Sequence, residues 1–185
     1  MKIVDIPKKE LEIMIYGAEL DLFNPVDCVS IKEVFTPEEV EMIRSFKGFE
    51  CHQCHSNSSW FCLMGSLKLK GYVFSFCEGL LNQFTSHCWN KVVRLRDGKE
   101  FYVDITSELV NNRNVTEEQY LLYAEWTGDE IIKLFNKHES AFIPLKGTYS
   151  GKKYVKYDKR AGTVVEEWYD KKNQKEVTKT KPIEI

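Results

Sequence analysis

The chain has 185 residues, of which 43% are hydrophobic, 13% aromatic and 29% charged, a globular composition of single-domain size that excludes long disorder. Its 26 Lys and Arg against 28 Asp and Glu give a formal net charge of −2, so global charge makes no case for nucleic acid or a membrane surface. No run approaches the ~20 apolar residues of a membrane-spanning helix, and Asp5, Lys8, Lys9, Glu10 and Glu12 break the first apolar stretch before it reaches signal-peptide length. The expectation is a cytoplasmic protein with no membrane or nucleic-acid partner.

In chain order, the apolar run Leu11 to Tyr16 fits a short helix or a strand equally well. Thr36-Pro37-Glu38-Glu39 places a Thr cap three residues before Glu, the pattern of a reciprocal capping box, and Val40, Ile43 and Phe46 follow at helical spacing. A helix is expected to begin near Cys54, with Trp60, Phe61, Leu63 and Met64 on its buried side. Strands are expected at Gly71 to Phe76, Ser86 to Leu95 and Glu100 to Thr106, the last two joined across Asp97-Gly98. Two further boxes, Thr116 to Gln119 and Thr127 to Glu130, predict helices whose apolar faces carry Tyr120, Tyr123 and Ala124, then Ile131, Leu134 and Phe135.

Residues 146 to 185 hold 11 Lys and Arg against 6 Asp and Glu, a net of +5, whereas residues 1 to 145 carry a net of −7. The runs Tyr154 to Tyr157, Thr163 to Tyr169 and Glu176 to Thr180 are β-branched and aromatic, separated by turns at Asp158 to Gly162 and Asp170 to Asn173. They predict a basic β-hairpin or meander packed on the domain formed by residues 1 to 145. Helices, strands, helices and more strands in that order make the fold class α+β.

Six cysteines stand at 28, 51, 54, 62, 77 and 88, five of them between 51 and 88. Without an export signal they read as thiols, with Cys28, Cys62, Cys77 and Cys88 as small core fillers. Phosphate-loop, dinucleotide, nucleophile-elbow and zincin motifs are missing, and no cofactor is expected. A cysteine hydrolase needs a thiolate, a base, a group that orients the base, and amide donors for the oxyanion. Cys54 at a helix start, His87 entering a strand and Asp104 on the next strand offer them in that chain order. A helix start lowers a thiol pKa, and its first amides suit an oxyanion, which assigns one oxyanion donor to the Cys54 amide.

In these segments the chain resembles the transglutaminase-like branch of papain-fold cysteine enzymes, most closely its small phage and bacterial members. The matching residues are Cys54-His55-Ser56-Asn57-Ser58, Glu78-Gly79, His87-Cys88-Trp89-Asn90 and Asp104-Ile105-Thr106. The resemblance spans roughly residues 50 to 110. It implies a papain-like core with the nucleophile helix packed on an antiparallel sheet, flanked here by added N-terminal helices. It implies Cys54 as nucleophile, His87 as base and Asp104 as orienter, acting on an amide of a protein or peptide. His55, Glu78 and Trp89 then become substrate-side candidates, with Trp89 walling the histidine from solvent. Asn90 and Thr106 are expected to support backbone, and Gly79 to serve a turn.

A two-residue Asp97-Gly98 loop would set Asp104 four residues from the position facing His87, about 13 Å along the strand. The pair therefore requires a longer loop, expected to span Val93 to Gly98. The alternatives are a zinc-stabilised binding module built on Cys51 and Cys54, with Cys62, Cys77, His87 or Cys88 completing a tetrahedron, and an inactive papain-fold scaffold that binds peptides.

Overall fold

The computed structural model describes residues 23–82, 85–138, 148–149, 153–170 and 175–183. The Leu11 to Tyr16 segment and the expected turn residues 171–173 lie outside that set, as do the side chains of Leu134 and Phe135.

Among the described residues the fold is α+β. Strands β1 (Asn24–Val26), β2 (Tyr72–Leu81), β3 (Thr85–Arg94), β4 (Lys99–Val103) and β5 (Tyr120–Thr127) form an antiparallel sheet in the order β1-β5-β2-β3-β4. Helices α1 (Ile31–Val34), α2 (Pro37–Arg44) and α3 (Cys54–Lys68) precede β2, and α4 (Gly128–His138) follows β5. A second antiparallel sheet holds β6 (Thr148–Tyr149), β7 (Lys153–Asp158), β8 (Thr163–Asp170) and β9 (Lys175–Pro182) in sequence order.

Two of the capping boxes form as the sequence predicts. Thr36 Oγ1 accepts from Glu39 N while Glu39 Oε2 accepts from Thr36 N, and Thr127 and Glu130 make the same exchange at the start of α4. Val40 and Ile43 are buried beneath α2, and Ile131 beneath α4.

The Thr116 box does not. Asn114 caps a single 3-10 turn, Val115–Glu117, by accepting from Thr116 N, and Tyr120 then opens strand β5. Leu121, Leu122 and Tyr123 make the apolar run from Tyr120 to Ala124 continuous, so periodicity alone cannot separate helix from strand. Pairing with β1 on one side and β2 on the other decides it.

Strand β2 runs five residues past the expected Phe76, through Glu78 and Gly79. A bulge in its pairing with β5 falls between these two, so Gly79 serves a close backbone approach rather than a turn. A β-carbon at Gly79 would stand 1.9 Å from the Leu121 carbonyl oxygen and 2.7 Å from Trp89 Cη2.

The buried face of α3 also differs from expectation: it carries Asn57, Ser58, Ser59, Phe61, Cys62 and Gly65, while Trp60, Leu63 and Met64 are half-buried. Small residues let the helix approach the sheet; a β-carbon at Gly65 would meet the Phe74 ring at 2.7 Å. Phe61, Phe74, Phe76 and Val92 fill the space between helix and sheet.

The C-terminal sheet is a meander, and it touches the first. Lys159 Nζ donates to the Glu125 carbonyl and to Glu130 Oε2, both at 2.5 Å, and stands 5.0 Å from the centre of the Trp126 ring. Val164 joins the main apolar cluster, and Ile183 packs against it.

Candidate active site

Cys54 is the first residue of α3. The Gln53 side chain makes no capping bond, which leaves the first-turn amides aimed past the cysteine, as the ends of helices dictate. Position is fixed from behind by Asn57, whose Nδ2 donates to the Glu50 carbonyl at 2.8 Å and to Thr106 Oγ1 at 3.0 Å, while its Oδ1 accepts from Glu50 N at 3.0 Å. The Asn of the first motif thus ties α3 to the Thr of the last.

His87 lies near the start of β3 and Asp104 immediately after β4. Strands β3 and β4 pair so that Asn90 faces Val103 and Arg94 faces Lys99, which closes a four-residue loop, Leu95 to Gly98, two residues shorter than expected. Continuing that register places Asp104 across from Trp89, so His87 is its diagonal neighbour on the same face, within reach of long side chains. His87 Nε2 donates to Asp104 Oδ2 at 2.6 Å. The chain then turns through a π-helical segment, Thr106–Val110, and Asp104 Oδ1 accepts from Ser107 N at 3.0 Å.

The other ring nitrogen of His87 is left free of Asp104, and His87 and Cys54 lie close enough for each to shift the other's pKa. Cys54 is half-buried, His87 nearly buried and Asp104 wholly so.

The electrostatics follow from that geometry. The Cys54 thiol is held well below its ordinary value of 9.0, first by a hydrogen bond from Cys88, then by His55 and His87, with burial opposing. For His87, burial disfavours the charged ring, but the bonds to Asp104 and Cys54 outweigh it and raise the pKa to about 9. Asp104 is pushed up by burial and pulled below its ordinary value by His87 and Ser107. The arrangement is a thiolate and imidazolium pair backed by a buried carboxylate.

Trp89 is wholly buried, its ring centre 6.3 Å from that of His87, so it walls the histidine and does not present itself to a substrate. Glu78 faces Cys88 across the β2–β3 ladder and is 6% exposed, a buried strand residue rather than a cleft-edge charge. His55 turns back on Cys54, its Nδ1 3.6 Å from the sulfur. Asn90 Nδ2 donates to the Ser58 carbonyl at 2.9 Å, fastening β3 to α3.

Cys51 is exposed. Among the described residues, the metal-capable group of three is Cys54, His55 and Cys88, which omits Cys51, Cys62 and Cys77. Cys62 and Cys77 are buried with strongly raised thiol pKa values, burial being the largest cause.

Two participants lay beyond sequence reasoning. Tyr120 is buried and its hydroxyl donates to Asp104 Oδ2 at 2.9 Å. Cys88, read from the sequence as a core filler, has its sulfur within 4.8 Å of that of Cys54 and lowers the Cys54 pKa. Alternation along β3 turns Cys88 to the face opposite His87 and Trp89, where α3 packs, so only the placement of that helix brings it to Cys54.

Comparison of the chain with protein-family models, curated proteins and solved structures found no match.

Proposed function

We propose that this protein is a cysteine hydrolase or acyltransferase that cleaves or exchanges an amide of a protein or peptide, through Cys54, His87 and Asp104. The observation that carries the reading is the buried His87–Asp104 pair meeting a cysteine at the first residue of a helix. Composition alone would not assemble these groups, and their joint arrangement fits acyl transfer better than any of them fits a structural role singly.

The Cys54 thiolate attacks the amide carbonyl carbon. The oxyanion meets first-turn amides of α3, with that of Cys54 assigned as one donor. His87, already protonated, gives its proton to the leaving amine, and a thioester remains on Cys54. Water or a second amine then resolves it, with His87 taking the proton back. Water makes the reaction proteolysis or side-chain deamidation, whereas an amine makes it crosslinking. Asp104 does not react; it orients the ring and supports its charge, with Tyr120 and Ser107 holding the carboxylate.

The test is alkylation by iodoacetamide between pH 5 and 9, mapped by peptide mass spectrometry. Cys54 is expected to react fast at pH 6, ahead of the exposed Cys51, and to slow at least about tenfold in His87→Ala, the loss of roughly one pKa unit of thiolate stabilisation or more. Equal reactivity of Cys51 and Cys54, unchanged by His87→Ala, would overturn the proposal.

A further inference from the structure

His55 is unused by the reaction above, yet its ring is folded onto the nucleophile. The His87–Asp104 pair already supplies an imidazole, so a second one at the sulfur calls for its own account. Its Nδ1 points at Cys54 Sγ at 3.6 Å, and its Nε2 is buried without a hydrogen-bond partner. The wholly buried Cys88 lies beside them, and the two sulfurs and one His55 ring nitrogen all lie within 4.8 Å of one another.

We propose that Cys54, His55 and Cys88 form a site for one soft divalent transition metal, zinc in the first place, which reversibly occupies the Cys54 sulfur and switches the nucleophile off. The switching rests on the proposed function; the metal binding does not.

The donor set is two thiolates and an imidazole, the chemistry that selects zinc over hard cations such as magnesium or calcium. The spacing fits as well. Bonds of about 2.3 Å to sulfur and about 2.0 Å to nitrogen at a tetrahedral angle put the two ligand atoms about 3.5 Å apart, against the observed 3.6 Å between Cys54 Sγ and His55 Nδ1. A neutral His55 with its proton on Nε2 turns the Nδ1 lone pair towards the sulfurs. Binding displaces the Cys88 thiol proton to solvent and leaves the fourth position to water. Phe76, its ring centre 6.4 Å from that of His55, makes an apolar wall behind the imidazole.

The site differs from a structural zinc knot in two respects. Three protein ligands, rather than four, hold the ion. The His55 Nε2 lacks the carboxylate or carbonyl partner that strengthens metal-bound histidines, an omission worth about 10–100-fold in affinity. The ion is therefore removable without unfolding the chain, because the aromatic core beneath α3 does not depend on it.

The experiment is zinc titration of the reduced full chain after chelator treatment, read by a competing chromophoric indicator and by the Cys54 alkylation rate. One equivalent is expected to bind, alkylation of Cys54 to slow at least about tenfold, and chelator to restore it with no change in circular dichroism. Cys88→Ala and His55→Gln should each weaken zinc by more than the 10–100-fold cost of a lost outer partner, and Cys51→Ser should change nothing. Two variants are used because truncating a buried side chain can also disturb the fold, which circular dichroism reports. The proposal is overturned if zinc does not bind, or if binding survives both variants unweakened; loss in Cys51→Ser would move the site to Cys51. Slow alkylation of metal-free protein would instead sink the proposed function and leave the titration result standing.

Discussion

At the scale of single residues, the site stores a proton arrangement that the unfolded chain does not share. His87 is raised from 6.5 to about 9, so its contribution to stability is present in full below 6.5 and is lost as pH rises through about 9. Cys54 is depressed from 9.0, so its contribution is present above 9.0 and is lost as pH falls. Between pH 6.5 and 9 the folded site binds one proton, on His87, and the unfolded pair also binds one, on Cys54. The slopes cancel there, and below 6.5 the unfolded pair gains a second proton and stability falls. Denaturant midpoints of wild type relative to Cys54→Ser/His87→Asn should therefore show a plateau from about pH 6.5 to 9 and a decline on the acid side. A difference that keeps rising between pH 6.5 and 5 would contradict the ion pair.

Tyr120 sharpens the same point. Its hydroxyl is one of three donors on the Asp104 carboxylate, beside His87 Nε2 and Ser107 N. Tyr120→Phe removes a hydrogen bond to a buried charge, a loss of about 1.5–3 kcal/mol. It also leaves more of the carboxylate charge for His87, whose ring should titrate higher by NMR; an unchanged titration would show that the phenol is only packing.

At the scale of elements, Gly79 is where sheet and site meet. The bulge brings the Leu121 carbonyl onto its α-carbon, and the side of the strand that a methyl group would occupy is filled by Trp89, the wall of His87. Gly79→Ala must push β2 from β5 or move Trp89, a cost of about 1–3 kcal/mol or more. Gly71, with nothing near its absent β-carbon, is the control. Thermal melts should fall for Gly79→Ala and not for Gly71→Ala, and the first variant should also slow Cys54 alkylation. Equal melts would mean that the bulge relaxes freely.

Features written within four residues of one another were legible in the sequence. The boxes at Thr36 and Thr127 form because each pairs a hydroxyl and a carboxylate inside one helical turn. The tail strands are bounded by turns the sequence marks, such as the one at Gly162 with φ of 63°. What failed was non-local. Tyr120 to Ala124 is a strand because two neighbours pair with it, and the β3–β4 register follows from a loop of four residues where Asp97-Gly98 alone suggested two and the Cys–His–Asp spacing suggested six. Cys54, His87 and Asp104 were visible as local motifs, but Tyr120 arrives at Asp104 from a strand that enters the sheet on the far side of β2.

At the scale of the whole molecule, the uneven charge along the chain finds use where the two sheets touch. The tail carries a net of +5 and the preceding 145 residues −7, and Lys159 in the β7–β8 turn of the meander reaches Glu130 and the Glu125 carbonyl beside Trp126. Arg160 stands 4.7 Å from the centre of the Tyr123 ring next to it. Lys159 bonds Glu130 and lowers its pKa against an opposing burial effect, so this contact is present above the ordinary carboxylate value of 4.5 and is lost as pH falls below it. Lys159→Met keeps the apolar stem over Trp126 but deletes the cation, at a cost of about 1–3 kcal/mol for its charged hydrogen bonds. Because those bonds join the sheets and lie within neither, hydrogen exchange of β7 and β8 amides should quicken while β2 and β3 amides keep their protection. Uniform acceleration across both sheets would show instead that Val164 and Ile183, buried against the first sheet, bind the meander so firmly that the molecule opens as one unit.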